Sequence, residues 1–173
     1  MGSKIINVLI VLAVIGYVGY YLYKLPKYNE GEIAPDFKTI LIDGSEFQLS
    51  NLRGNIILLD FWGSWCGPCR QESPNLVSLQ KKFGASKTDS GAGFKIVSVA
   101  IETNERRWKK AIEQDNLNWP YHIYEEGRFK SPIAKQYGVK EIPTKYLIDV
   151  KGNVVYTNPS FEQINTYLSD RLK

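Results

Sequence analysis

At 173 residues the chain has the length of one ordinary globular domain, large enough to bury a core without disulfide staples, so its two cysteines are free for chemistry. The 22 basic and 18 acidic residues leave a charge of +4 that is spread along the chain, and no nucleic-acid partner follows from it. The densest basic cluster, Arg106-Arg107-Trp108-Lys109-Lys110, lies in a helical pattern beside Glu105 and Glu113 and reads as a solvated helix face rather than a phosphate-binding patch.

Taken in order, the chain opens on an apolar run. Ile5 to Tyr23 contains no charged residue and only Asn7 as a strongly polar one. At ~1.5 Å per residue a helix over it spans roughly 28 Å, close to the hydrocarbon thickness of a bilayer. Tyr17, Tyr20, Tyr21 and Tyr23 crowd its end, with Lys24 and Lys27 just beyond, as where a helix leaves a membrane. No small-x-small cleavage site follows, so residues 1–25 read as an uncleaved anchor contacting lipid through Ile5 to Tyr23. The charges do not orient it, since Lys4 stands on one side and Lys24, Lys27 and Lys38 on the other. Residues 26–35 read as a polar linker and 36–173 as the folded domain.

Phe37 to Ile42 alternates into Asp43-Gly44 and returns through Phe47-Gln48-Leu49, the pattern of a leading β-hairpin. The apolar run Asn55 to Phe61 predicts a buried strand, and Arg70 to Phe83 a helix with Leu76, Leu79 and Phe83 inward, a kink at Pro74 and a stop at Gly84. Ala85 to Gly93 reads as a flexible surface loop. Strand (Phe94 to Ile101), helix (Glu105 to Asn116) and strand (Tyr121 to Tyr124) follow; His122 on the last has no cysteine or acid next to it and reads as structural or surface. A short helix over Pro132 to Tyr137, strands at Lys145 to Val150 and Val154 to Thr157, and a closing helix over Phe161 to Leu172 complete the chain.

Between the first long strand and its helix lies Trp65-Cys66-Gly67-Pro68-Cys69. A cysteine at a helix N-terminus faces unpaired N–H groups and the positive end of the macrodipole, which favour the nucleophilic thiolate. Cys69 returns to the same face one turn later, within reach of a disulfide, so the pair can cycle between dithiol and disulfide. Pro68 is tolerated in a first turn, and Gly67 leaves room for another backbone to approach. Two other readings compete. A zinc site needs four ligands, and beyond Cys66 and Cys69 the chain offers only the distant His122. A purely structural disulfide would close so small a loop that it constrains the unfolded chain little. Asp60, at the end of the buried run, needs either a partner, a task, or contact with water.

Asp60-Phe61-Trp62-Gly63-Ser64-Trp65-Cys66-Gly67-Pro68-Cys69-Arg70 resembles the active-site segment of thioredoxins. Together with Ala34-Pro35-Asp36-Phe37, Leu49-Ser50-Asn51-Leu52-Arg53-Gly54 and Ile142-Pro143-Thr144, it makes about 140 residues similar to the membrane-anchored TlpA/ResA-like thiol-disulfide oxidoreductases. The resemblance implies a thioredoxin-like α/β fold, with a mixed central sheet and helices on both faces. It implies that Cys66 attacks a protein disulfide, that Cys69 resolves the mixed disulfide with Asp60 taking its proton, and that a cis Pro143 faces Cys66. Trp65, Gly67, Pro68, Ile142 and Pro143 would then form the substrate-binding surface, with Ile142 pairing its backbone with an extended segment. No cofactor or metal is called for.

By the same resemblance the domain lies on the extracytoplasmic, periplasmic side of the membrane, a transmembrane thiol carrier re-reduces the pair, and the task is cytochrome c maturation or general thiol redox and antioxidant upkeep. Gly-Pro between the cysteines points to a reductant. A peroxiredoxin would carry Thr or Ser three residues and Pro seven residues before its cysteine, where Cys66 has Gly63 and Leu59. A tethered copper metallochaperone would use the same two thiolates on a soft ion, with Trp65 and Pro68 as poor accessories.

Overall fold

Seven consecutive buried residues, Ile56 to Trp62, make the strand on which the rest of the domain is assembled. The computed structural model describes residues 2–24 and 26–172. Residues 1 and 25, the ends of the predicted anchor, and residue 173, the predicted end of the domain, lie outside the described residues. In chain order the elements are α1 (Gly2–Lys24), β1 (Lys38–Ile40), β2 (Glu46–Gln48), β3 (Ile56–Trp62), α2 (Gly67–Phe83), β4 (Phe94–Glu102), α3 (Glu105–Gln114), β5 (Tyr121–Glu126), α4 (Pro132–Tyr137), β6 (Thr144–Ile148), β7 (Val154–Thr157) and α5 (Phe161–Ser169). β1 and β2 form a separate hairpin, and the main sheet runs β5-β4-β3-β6-β7. β3, β4 and β5 are parallel, while β6 and β7 run antiparallel to their neighbours.

Side chains alternate across a strand, so β3 divides its own residues between two cores. Ile57, Leu59 and Phe61 join Val97, Val99, Tyr146 and Ile148 on the side covered by α4 and the hairpin. Ile56, Leu58 and Trp62 join Ile96, Ala100 and Leu147 beneath α2, α3 and α5, which contribute Leu76, Leu79, Trp108, Ala111, Ile164 and Leu168. Asp60 falls in the second series. It is therefore on the side of the sheet that carries the cysteines.

Each sheet edge is capped in part by another segment, which leaves fewer unpaired N–H and C=O groups to recruit other chains. At β5, the Ile42 N–H donates to the His122 carbonyl at 2.9 Å and Leu41 bridges to Ile123. At the start of β7 the Gly31 N–H reaches the Val154 carbonyl, and in the turn before it the Ala34 N–H reaches the Gly152 carbonyl, each at 2.9 Å. The segment predicted as a linker is thus docked over residues 31–34, and Tyr28 before it sits edge-on to Tyr137 with ring centroids 5.8 Å apart.

The predicted flexible loop after α2 is also closed by hydrogen bonds, from the Thr88 N–H to the Ala92 carbonyl and from the Gly91 N–H to the Thr88 carbonyl, with a bridge from Lys87 to Gly93. Sequence periodicity sees none of these contacts, because backbone groups make them.

Element ends differ from expectation for local reasons. α2 starts at Gly67, since Pro68 is accepted in the first turn. α3 stops at Gln114, with Asn116 in the left-handed region at φ 55°. β6 stops at Ile148 because the Asp149 carboxylate accepts from the Lys151 and Asn153 N–H groups and turns the chain. α5 ends at Ser169 rather than Leu172. α3 is capped by Asn104, whose Oδ1 accepts from the Arg107 N–H at 2.9 Å. We expect Asn104→Ala to lower stability by about 1 kcal/mol, read as a reduced urea midpoint at unchanged slope. The basic cluster lies on this helix, with Arg106, Arg107, Lys109 and Lys110 exposed and Trp108 buried, a solvated face.

α1 is long and apolar enough to cross a membrane, and its apolar side chains are exposed throughout.

Candidate active site

Cys66 is the N-cap of α2, with extended backbone, and the Cys69 N–H donates to its Sγ at 3.2 Å. One orphan donor of the helix end is thereby spent on the sulfur. Cys66 and Cys69 are joined by a disulfide, and both residues are largely buried, at 5% and 4% exposure. The peptide bond between Ile142 and Pro143 is cis, and the Ile142 carbonyl oxygen lies 3.8 Å from Cys66 Sγ. Residues 76 positions apart in sequence thus meet at the sulfur. Gly67 and Pro68 are exposed in front of it, Gly67 with open space where a Cβ would stand.

The loop leading into the cysteines is held from β4. Glu102, 1% exposed at the end of that strand, accepts the Ser64 N–H at 2.5 Å through Oε1. The Trp65 indole N–H donates to the Ile101 carbonyl at 3.1 Å, which folds the ring back over Gly63. A Cβ at Gly63 would meet the Trp65 indole nitrogen at 2.7 Å, so a larger residue would displace the ring. The far side of Trp65 is covered by the Arg128 guanidinium, 4.5 Å from the ring centroid, and by Phe129 edge-on. A partly buried tryptophan clamped in this way gives a rigid apolar wall beside the disulfide.

Beneath this surface is a charged group of three. Asp60 is 3% exposed and pairs in register with Lys145 of β6. Lys145 alternates with the buried Tyr146 so as to share the α2 side with Leu147, and its Nζ forms an ion pair with Glu72 of α2. Burial pushes the Asp60 carboxyl up to about 6, with the negative Glu72 adding to the rise and Lys145 opposing it. His122 is on β5, away from this group. Its ring stacks on Trp119 with centroids 5.2 Å apart, its Nε2 lies 3.0 Å from the Leu117 carbonyl, and burial pushes its pKa down to about 4, the situation of a structural histidine.

Comparison with known proteins decides the family. Residues 31–157 match the AhpC/TSA family model. Over 148 residues the chain is 31% identical to the thiol-disulfide oxidoreductase ResA of Bacillus thuringiensis, covering 84% of this chain and 80% of that protein. The chain belongs to the AhpC/TSA family, among its ResA-like thiol-disulfide oxidoreductases. Another relative is the thioredoxin-like protein YneN of Bacillus subtilis, 33% identical over 71% of this chain and 67% of that one. Among solved structures, the thioredoxin domain of a thiol-disulfide oxidoreductase from Bacteroides vulgatus superposes with a TM-score of 0.71 at 25% identity, over 82% of this chain and 99% of that one. The thioredoxin-like α/β fold expected from the sequence holds in this ResA-like chain, with its mixed sheet, its leading hairpin and one apolar N-terminal helix.

Glu72, Lys145, Glu102 and Arg128 were not singled out from the sequence of this ResA-like protein. Two of them left a trace there. Lys145 interrupts a strand of otherwise uncharged residues, and Glu102 ends an apolar run, each a charge where burial would be costly without a partner. Nothing in the sequence names the partners.

Proposed function

We propose that this thiol-disulfide oxidoreductase passes two electrons from a Cys66–Cys69 dithiol to disulfides of proteins outside the cytoplasm, tethered by α1 as a membrane anchor (1–25) through a short connection (26–35) to the domain (36–173). The observation that carries the reading is the cysteine pair at the mouth of α2, with the Cys69 N–H on Cys66 Sγ and the Ile142 carbonyl beside it.

In the reduced protein the Cys66 thiolate attacks one sulfur of the substrate disulfide. A bond from Cys66 to that sulfur forms, the substrate S–S bond breaks, and the released substrate sulfur leaves as a thiolate that takes a proton from water. Asp60 then accepts the proton of Cys69, and the Cys69 thiolate attacks Cys66. The Cys66–Cys69 bond forms, the mixed disulfide breaks, and the second substrate sulfur departs as a thiolate that takes its proton from Asp60 or from water. The substrate gains two electrons and two protons, and the protein is left oxidised. Trp65 stands beside the reacting sulfur, Gly67 and Pro68 are exposed in front of it, and Ile142, before the cis Pro143, offers backbone groups to an extended substrate segment. The Gly-Pro dipeptide supports the reducing direction, as in thioredoxins. A transmembrane thiol carrier is the electron donor we infer for the next cycle, with cytochrome c maturation or general thiol upkeep as the task.

A peroxidase reading is disfavoured by Gly63 and Leu59, which stand where its Thr or Ser and its Pro would be.

The test is a trap. With the full chain carrying Cys69→Ser in membranes, we expect protein partners to accumulate as mixed disulfides through Cys66, released by dithiothreitol and absent when Cys66 is also replaced. Recovery of no protein adduct would overturn the reading.

A further inference from the structure

Asp60 and Lys145 face one another across β3 and β6, and strand alternation turns both toward α2. A lysine in a strand whose five residues are all buried needs a partner, and the one it has is Glu72, three residues beyond Cys69 on α2. The side chain of Lys145 is 11% exposed and that of Glu72 43%, so one ammonium stands between an inner carboxylate and one at the protein surface. Glu72 and Lys145 also line a small cleft with Asn75, Leu76 and Ser160, through which the pair meets solvent.

Two carboxylates cannot both be neutralised by one ammonium, and an uncompensated charge inside the domain is costly. The remaining register neighbour of Asp60, Ser98 on β4, offers no charge, and its hydroxyl accepts from the Trp119 indole. Besides Glu72 and Cys69, α2 carries Arg70, which is paired with Asp115, and, a turn or more beyond, Lys81, which is exposed, and Lys82, which donates to Asn165.

We propose that Lys145 is the positioning residue for the proton of Asp60, a shared ammonium that lies against Glu72 while Asp60 is protonated and turns to Asp60 when the proton has left. The Glu72 pairing is the arrangement seen. When Asp60 takes the Cys69 proton, its charge disappears, Lys145 returns to Glu72, and the site stays neutral apart from the new thiolate. The charge movement needs one side-chain rotation of a residue with several rotatable bonds, not a displacement of the fold.

The inference rests on the reading of Asp60 as the base for Cys69, and its test separates the two. In the full chain in detergent micelles, with aspartate isotope-labelled at the side-chain carboxyl carbon and Asp60 assigned by its loss in Asp60→Asn, the titration midpoint of Asp60 is followed by NMR. In Lys145→Met the midpoint moves up by about 1 pH unit or more, because only the negative Glu72 then faces Asp60. In Glu72→Gln it moves down, because a repulsive charge is gone and the ammonium is free to turn inward. Lys145→Arg keeps it near the wild-type value. A packing disturbance would not give opposite signs on opposite sides of one ion pair.

Equal midpoints, or shifts of the same sign in Lys145→Met and Glu72→Gln, would overturn the proposal. The pH dependence of single-turnover release from the mixed disulfide is the second readout. If it follows the shifted midpoints, both readings stand. If it ignores them, Lys145 still governs the Asp60 proton, and it is the assignment of Asp60 as base that fails.

Discussion

Replacing Cys66 by serine lowers the rate of disulfide reduction by at least about 10³-fold, because no other thiolate is placed to attack. Cys66 is the sulfur that the Cys69 N–H faces and the one beside the Ile142 carbonyl. A serine hydroxyl in its place ionises far above neutral pH and cannot form the covalent intermediate. Cys69→Ser has a different signature. It leaves the first attack intact and removes only the resolving sulfur, so a single burst of substrate thiol is released and turnover stops at the mixed disulfide. Stopped-flow detection of released thiol distinguishes the two: no burst in Cys66→Ser, one equivalent without turnover in Cys69→Ser. A burst in Cys66→Ser would mean that Cys69 attacks first, and the order of roles would be reversed.

Asp60→Asn raises stability at pH 7 to 8 by about 3 kcal/mol, while slowing the step that depends on a base. The Asp60 carboxyl is raised from an ordinary 3.8 to about 6 in the folded chain, chiefly by burial, so the folded state holds that proton more tightly than the unfolded state does. Below about pH 4 both states carry the proton and Asp60 has no effect. Between about pH 4 and 6 the unfolded chain gives up this proton while the folded chain keeps it, so stability falls across that window by an amount set by the separation of the two values, about 1.4 kcal/mol for each unit, and above about 6 the folded chain bears the buried charge and the loss is complete. Asparagine never ionises and avoids the loss.

The wild-type and variant stability curves against pH should therefore meet near pH 4 and diverge up to about pH 7, read from urea denaturation of the oxidised full chain in detergent. Curves that stay parallel would show that Asp60 titrates alike in both states. The catalytic loss also develops as Asp60 ionises, but it closes again at high pH. Between about pH 6 and 8 Asp60 is ionised and able to take the Cys69 proton, so the variant resolves mixed disulfides up to about 10²-fold more slowly there, and the difference closes as pH approaches the thiol's own ionisation.

The pattern of the chain carried a large part of this architecture. Strand, turn and helix around Cys66 follow from an apolar run broken by small residues and Pro68. The leading hairpin follows from alternation into Asp43-Gly44, and α4 starts at Pro132 and stops before Gly138, whose φ of 65° suits glycine. These are local signals, set by the preferences of neighbouring residues, and a sequence displays them directly. The apolar N-terminal helix is legible for the same reason.

The charged group under the active site is of another kind. Asp60 and Lys145 are 85 residues apart and meet only because β6 lies antiparallel to β3 in one register; a slip by one residue would turn Lys145 to the opposite core. Glu72 joins them because α2 crosses that face. Glu102 reaches Ser64, and residues 31–34 reach β7, in the same non-local way.

By itself, then, the sequence determined the element order and the dithiol at a helix start, since each depends on neighbours in the chain, while the thioredoxin-like class came from its resemblance to that family. Only the tertiary structure decided which charges face Asp60 and what closes over Trp65, because burial and register bring together groups between which the chain holds no local correlation.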